Sequence, residues 1–352
     1  MSIAHPDPAS VLSAYRKLIA RRTMIVIGLA ILCAMAFAWD FVTGPSALTP
    51  QQIIEGLIRP GSLTGPQSAI IWQIRLPHAL MAVLVGAALS LAGAEMQTIL
   101  NNPLASPFTL GVSSAASFGA ALAIVLGVSV PFVPIEWTLS LNAFLCAFGS
   151  VLLLQSLSRT RSAGVETVVL LGIALVFTFN ALVALIQFAS SQEALQQLVF
   201  WSMGSLSRAT WSNVGALGVI LLLVAPFSML AAPRMTSLRL GEDRAMSFGV
   251  NVARLRFLSL LRVSVLAATS VAFVGTIGFI GLVGPHIARM LLGEDHRFLL
   301  PASIFTGALI MSLASVASKT LVPGVIMPVG IVTAIVGVPV FLVLIFRRSA
   351  RA

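Results

Sequence analysis

The chain has 352 residues, 58% of them hydrophobic and 9% charged, with a formal net charge of +10. A water-soluble domain carries roughly a quarter of its residues as charged side chains, so this composition excludes one. In a membrane protein an excess of Lys and Arg reads as topology, not as a nucleic-acid footprint.

Apolar runs predict helices near 23–43, 73–99, 107–128, 138–158, 167–189, 211–232, 257–278, 283–292, 298–318 and 328–346. Crossing about 30 Å of hydrocarbon takes roughly 20 apolar residues, so the length holds about ten helices with short connections and no large soluble domain. The apolar but short stretch 194–206 reads as a half-helix at the outer mouth. The expected fold is therefore an all-α membrane protein, a polytopic bundle of about ten transmembrane helices. Residues 1–22 read as a cytoplasmic N-terminal segment without a cleavage site, and 23–348 as a single transmembrane domain.

Both termini are expected in the cytoplasm. That places Arg16, Lys17, Arg21, Arg22, Arg159, Arg161, Arg234, Arg239, Arg244, Arg254, Arg256, Arg262, Arg289, Arg297, Arg347, Arg348 and Arg351 inside, and only Arg59, Arg75, Arg208 and Lys319 outside. Small residues such as Gly86-Ala87-Ala88 and Gly93-Ala94 predict close helix approach, since helices in lipid associate through van der Waals contact and not through a hydrophobic drive. Cys33 and Cys146 stand alone in apolar runs and read as packing residues. Glu95 and Glu166 are the carboxylates nearest to membrane interior, and an ionised carboxylate at a helix centre costs about 2.5–3.5 kcal/mol on insertion scales. Both lie toward cytoplasmic helix ends, where snorkelling to the interface and lining a pathway are both open to them.

No phosphate-cradling GxxxxGK[ST] loop occurs, and His5, His78, His286 and His296 form no HExxH. No catalytic residue, metal site or cofactor is indicated, and the chain is not expected to be an enzyme. Transport remains, driven either by a partner or by an ion gradient. The segment from Pro233 to Arg256 favours a partner: it sets Arg234, Arg239, Arg244, Arg254 and Arg256 against only Glu242 and Asp243, with apolar spacers able to form small amphipathic helices. An ion-coupled secondary transporter is the rival from another class, and it would call for several carboxylates at midplane.

Four segments point the same way: Arg75-Leu76-Pro77 with LVGAALSLAGAEMQTILNNPLASPFTLGVSS, LGEDRAMSFGVNVARLR, GFIGLVGPHIARMLLGEDHRFLLP and MPVGIVTAIVGVPVFLVL. Together they resemble the permease subunit of binding-protein-dependent ABC importers of the iron-siderophore, haem and vitamin B12 family (FecCD, BtuC-like). The resemblance implies a type II importer architecture in a bacterial inner membrane. It also implies a second permease subunit, identical or not, two cytoplasmic ATP-binding subunits that carry the hydrolysis, and a periplasmic substrate-binding protein. The implied cargo is an iron chelate, a ferric siderophore first, with haem or vitamin B12 as alternatives, and no nucleic acid is involved.

Site roles come from the same resemblance. Gly241, Glu242, Ala245, Gly249, Val250, Arg254 and Arg256, within a coupling loop 234–256, are expected to seat in a cleft of the ATPase. Arg75, His78 and Lys319 are expected to dock the binding protein, His78 and Lys319 standing where arginine is usual, with His78 charged mainly below about pH 6.5. Gly164, Val165 and Glu166 are placed at the cytoplasmic gate. Glu95 in place of an apolar residue, Glu166 at the gate and Ser315 in place of an aspartate depart from the family pattern.

Overall fold

The computed structural model describes residues 8–46, 48–59, 61, 63–159 and 165–349, and no strand occurs among them. The helices are α1 (Pro8–Val42), α2 (Pro50–Ile58), α3 (Gly65–Ala69), α4 (Leu76–Ile99), α5 (Val112–Ile124), α6 (Ile135–Arg159) and α7 (Val165–Phe188). They continue with α8 (Gln192–Ser202), α9 (Trp211–Leu238), α10 (Glu242–Ser247), α11 (Val252–Val274), α12 (Ile280–Leu292), α13 (His296–Thr320) and α14 (Val329–Ser349). A π-helical stretch, Ile70–Arg75, joins α3 to α4. Among the described residues seven helices are long and apolar enough to cross a membrane, and three shorter apolar ones accompany them.

Two helices outrun their apolar cores. The first span was expected from residue 23, yet α1 begins at Pro8, because Leu, Ala, Lys and Arg are good helix formers and nothing between Ser10 and Arg22 breaks the turn. At 1.5 Å per residue its 35 residues reach about 52 Å, well beyond the hydrocarbon thickness. Helix α9 was expected to stop at 232 but runs through Pro233 to Leu238. Proline is tolerated in membrane helices where neighbours re-satisfy the freed backbone groups. The basic segment 233–256 is consequently no loop: it is the end of α9, the short α10 and the start of α11, which Asn251 caps by accepting from the Arg254 N–H at 2.9 Å.

Helix α4 is the central post, with 83% of its most apolar stretch buried, and it packs against α13, α11, α12 and α9. The small residues do there what the sequence predicts. A Cβ on Gly93 would stand 1.8 Å from the Gly281 carbonyl oxygen of α12, and one on Gly86 2.4 Å from that of Gly307 in α13. At the other extreme, only 11% of α7 is buried, so its surface is left to lipid or to another subunit. The half-helix α8 seats on the break between α11 and α12. There Gly275 takes φ +79°, and a Cβ would meet the Trp201 carbonyl oxygen at 2.2 Å.

Candidate functional site

The residues expected to couple to the ATPase and those expected to dock the binding protein fall at opposite ends of the bundle. At the first end, α9 turns into α10 through Gly241, whose φ of +105° is open to glycine but strained for other residues. Gly249, at φ +79°, ends α10 in the same way. Ala245 is fully buried beneath the helix, and its carbonyl accepts from the Val250 N–H at 3.0 Å. Arg256 holds α10 from the side. Its guanidinium pairs with both carboxylate oxygens of Glu242, and its Nε donates to the Ile99 carbonyl at 3.2 Å, satisfying an orphan carbonyl at the end of α4. What faces outward is apolar with a charged rim: Leu240, Met246 and Phe248 are exposed beside Asp243, Arg244 and Arg254.

Beneath this knob lies a polar network. Glu294 stands 3.1 Å from both Arg239 and Arg289. Arg239 also donates to Asn101 Oδ1, and Arg289 to Gln97 Oε1 at 2.8 Å. The buried His296 ring spans Thr98, at 2.7 Å from Nε2, and Thr236, at 3.2 Å from Nδ1. Deeper in, Glu95 is fully buried and receives Nε and Nη2 of Arg262 at 2.7–3.1 Å, while Arg262 also donates to Ser259 Oγ at 2.8 Å. The ends of α4, α9, α11, α12 and α13 are thereby tied into one base.

Asp295 completes that base between Arg297, at 2.8 Å, and Arg22, at 3.2 Å. The hydrogen bond from Arg297 holds its carboxyl below the usual carboxylate range, with the Arg22 charge adding to the effect. A depressed carboxyl stabilises the fold above its unfolded value, near 3.9, and ceases to do so as pH falls through the folded value. Asp295→Asn is therefore expected to unfold at lower temperature than the parent at pH 7. Thermal unfolding followed from pH 7 to pH 3 should show that gap closing below about pH 4.

At the second end the structure brings Arg75, His78 and Lys319 together and turns all three inward, 4%, 4% and 8% exposed. Arg75 donates to the carbonyls of Val42 and Ser46, at 2.6 and 3.1 Å, and to Ser46 Oγ at 2.7 Å. Lys319 Nζ donates to the backbone oxygen and to Oδ1 of Asp40, both at 2.9 Å. His78 Nε2 and Ser315 Oγ lie 3.0 Å apart. Asp40 was not singled out in the sequence, and it supplies at this spot the carboxylate that Ser315 lacks. The third group is less assembled: Gly164 lies outside the described residues, Val165 is the first residue of α7, and Glu166 is exposed in its first turn, where a carboxylate suits the positive end of the helix dipole.

Residues 29–347 match the FecCD transport family. The chain belongs to that family. Among its relatives, the hemin transport system permease protein HmuU of Yersinia pestis is 38% identical over 79% of this chain and 84% of its own length. The vitamin B12 import system permease protein BtuC of Vibrio vulnificus is 34% identical over 81% and 85%. A solved structure described as a metal-chelate type ABC transporter in an inward-facing conformation superposes with a TM-score of 0.81 at 34% identity, covering 92% of this chain and 99% of that one. This FecCD protein is thus a membrane permease subunit of an ABC importer of the iron-chelate, haem and vitamin B12 group. It is a transport subunit and not an enzyme, ATP hydrolysis lying in separate subunits.

Proposed function

We propose that this permease carries a ferric siderophore across a bacterial inner membrane, from a periplasmic binding protein to the cytoplasm, as one of two permease subunits above two ATPases. Both termini and α10 then lie in the cytoplasm. The observation that carries the mechanism is the exposed apolar knob of α10, Leu240, Met246 and Phe248, braced by Arg256 against the end of α4. Such a knob seats in an ATPase cleft, and closure of the ATP-bound motor reaches the bundle as a rigid-body push. Residues Gly241, Glu242, Ala245, Gly249, Val250 and Arg256 shape and hold it, while the exposed Arg254 faces the partner.

At the outer end, Arg75 and Lys319 are held by Val42, Ser46 and Asp40. They reach a binding protein when its carboxylates replace these internal acceptors. His78 shares in docking through Ser315 and α13, not as a surface cation. Val165 and Glu166 at the start of α7 stand at the inner gate, and the exposed α7 meets the second permease subunit. An iron chelate is favoured by the hemin-transporting relative and the metal-chelate type neighbour, with vitamin B12 the competing cargo. Uptake of labelled ferric siderophores, haem and cobalamin by cells with and without the gene tests the cargo. Gene-dependent uptake of the siderophore is the expected result, whereas gene-dependent uptake of cobalamin or haem alone would replace it.

A further inference from the structure

The part of α1 that outruns the membrane is not idle surface. Where it passes the end of α12 an open cleft of ≈ 460 Å³ is walled by Lys17, Arg21, Arg22, Leu18, Leu291 and Leu292. Its lining holds three cationic side chains and no carboxylate. Arg22 is engaged at its rim, paired with Asp295 at 3.2 Å and set over the Phe298 ring at 5.7 Å, so its guanidinium is fixed in place. Lys17 and Arg21 are exposed and lie one turn apart on the same face of α1.

The apolar surroundings decide what kind of anion fits. Leu18 and Leu291 are exposed at the cleft, and the lining continues along α1 to Ile25 and across to Leu292 on α12. A free anion would use the cations and leave this strip unused. A headgroup carrying acyl chains uses both, and basic pockets between membrane helices are suited to such headgroups.

We propose that this cleft seats the phosphate of an anionic phospholipid, with Lys17, Arg21 and the fixed Arg22 on the phosphate and an acyl chain along Leu18, Ile25 and Leu291. The lipid would fill the angle between α1 and α12 beside Asp295 and the base network, and so anchor α1 to the end of the bundle that carries α10. The site requires only that the chain spans a membrane, and it stands whichever chelate is carried.

The test is lipid retention by the purified full-length chain in neutral detergent, measured by native mass spectrometry after incubation with phosphatidylglycerol or phosphatidylcholine. Phosphatidylglycerol should be retained preferentially. Each basic residue near an anionic headgroup is worth roughly fivefold, so Lys17→Gln with Arg21→Gln should lower that retention about 30-fold. Leu18→Gln, which alters only the apolar wall, should lower it too, while Arg234→Gln, an exposed cation elsewhere at this end, should not. Millimolar inorganic phosphate should leave the lipid in place. Equal retention of the two lipids, an unchanged double variant, an equal loss in Arg234→Gln, or displacement by inorganic phosphate would each overturn the assignment.

Discussion

Glu95→Ala is expected to destabilise the permease by about 3–5 kcal/mol. Glu95 is fully buried, and the Arg262 side chain that donates to it twice is itself only 12% exposed. Removing the carboxylate leaves a guanidinium between α4 and α11 with Ser259 Oγ as its remaining acceptor. The desolvation cost of the cation then stands without its Coulombic offset. Glu95→Gln keeps an acceptor and should cost less. Replacing both partners by methionine should come out near neutral or stabilising, because a buried pair is often worth no more than well-packed apolar side chains of similar volume. Denaturant or thermal unfolding of the purified chain in mild detergent measures all three, and a Glu95→Ala variant within about 0.5 kcal/mol of the parent would show that the pair does not bear on stability.

The second large effect is expected at α10. Arg254→Glu should abolish transport while leaving the fold intact, since Arg254 is exposed and only its backbone N–H takes part in capping α11. Truncating an arginine that anchors an interface commonly costs 2 kcal/mol or more, roughly 30-fold in affinity, and reversing its charge costs further. Arg256→Glu should also abolish transport, by a different route. It breaks the pairing with Glu242 and uncaps Ile99, so α10 loses its brace as well as its docking. Phe248→Ala separates the two causes because the Phe248 side chain is exposed and lies outside the Arg256 brace. Co-purification of the ATP-binding subunits and the ratio of transport to ATPase activity should fall in Arg254→Glu and Phe248→Ala at unchanged unfolding temperature. Parent-level transport in Arg254→Glu would remove this residue from the coupling surface.

Much of the fold is legible in the chain because lipid imposes simple rules. Apolar runs of span length mark the helices, and small residues such as Gly86 and Gly93 mark the crossings that the structure brings to van der Waals limits. Helix ends are less legible, since they depend on stop signals. Nothing between Ser10 and Arg22 stops α1, and Pro233, a stop signal in water, is not one inside α9. The motifs carried the family, yet not the orientation of their side chains. Arg75, His78 and Lys319 stand at helix ends where either face is open to them, and only the assembled bundle shows Val42, Ser46, Asp40 and Ser315 meeting them. The pairs that explain the unusual residues are separated by 167 positions for Glu95 and Arg262 and by 279 for Asp40 and Lys319. No local periodicity encodes partners that far apart.

The central claim is that this permease moves its cargo on the energy of ATP hydrolysed by partner subunits. Uptake of the labelled chelate into cells with and without the chain, with either ATP depleted or the proton gradient collapsed, tests it most directly. The expected result is chain-dependent uptake that disappears when ATP is depleted and survives collapse of the gradient. Uptake that instead follows the proton gradient while ATP is intact would contradict it.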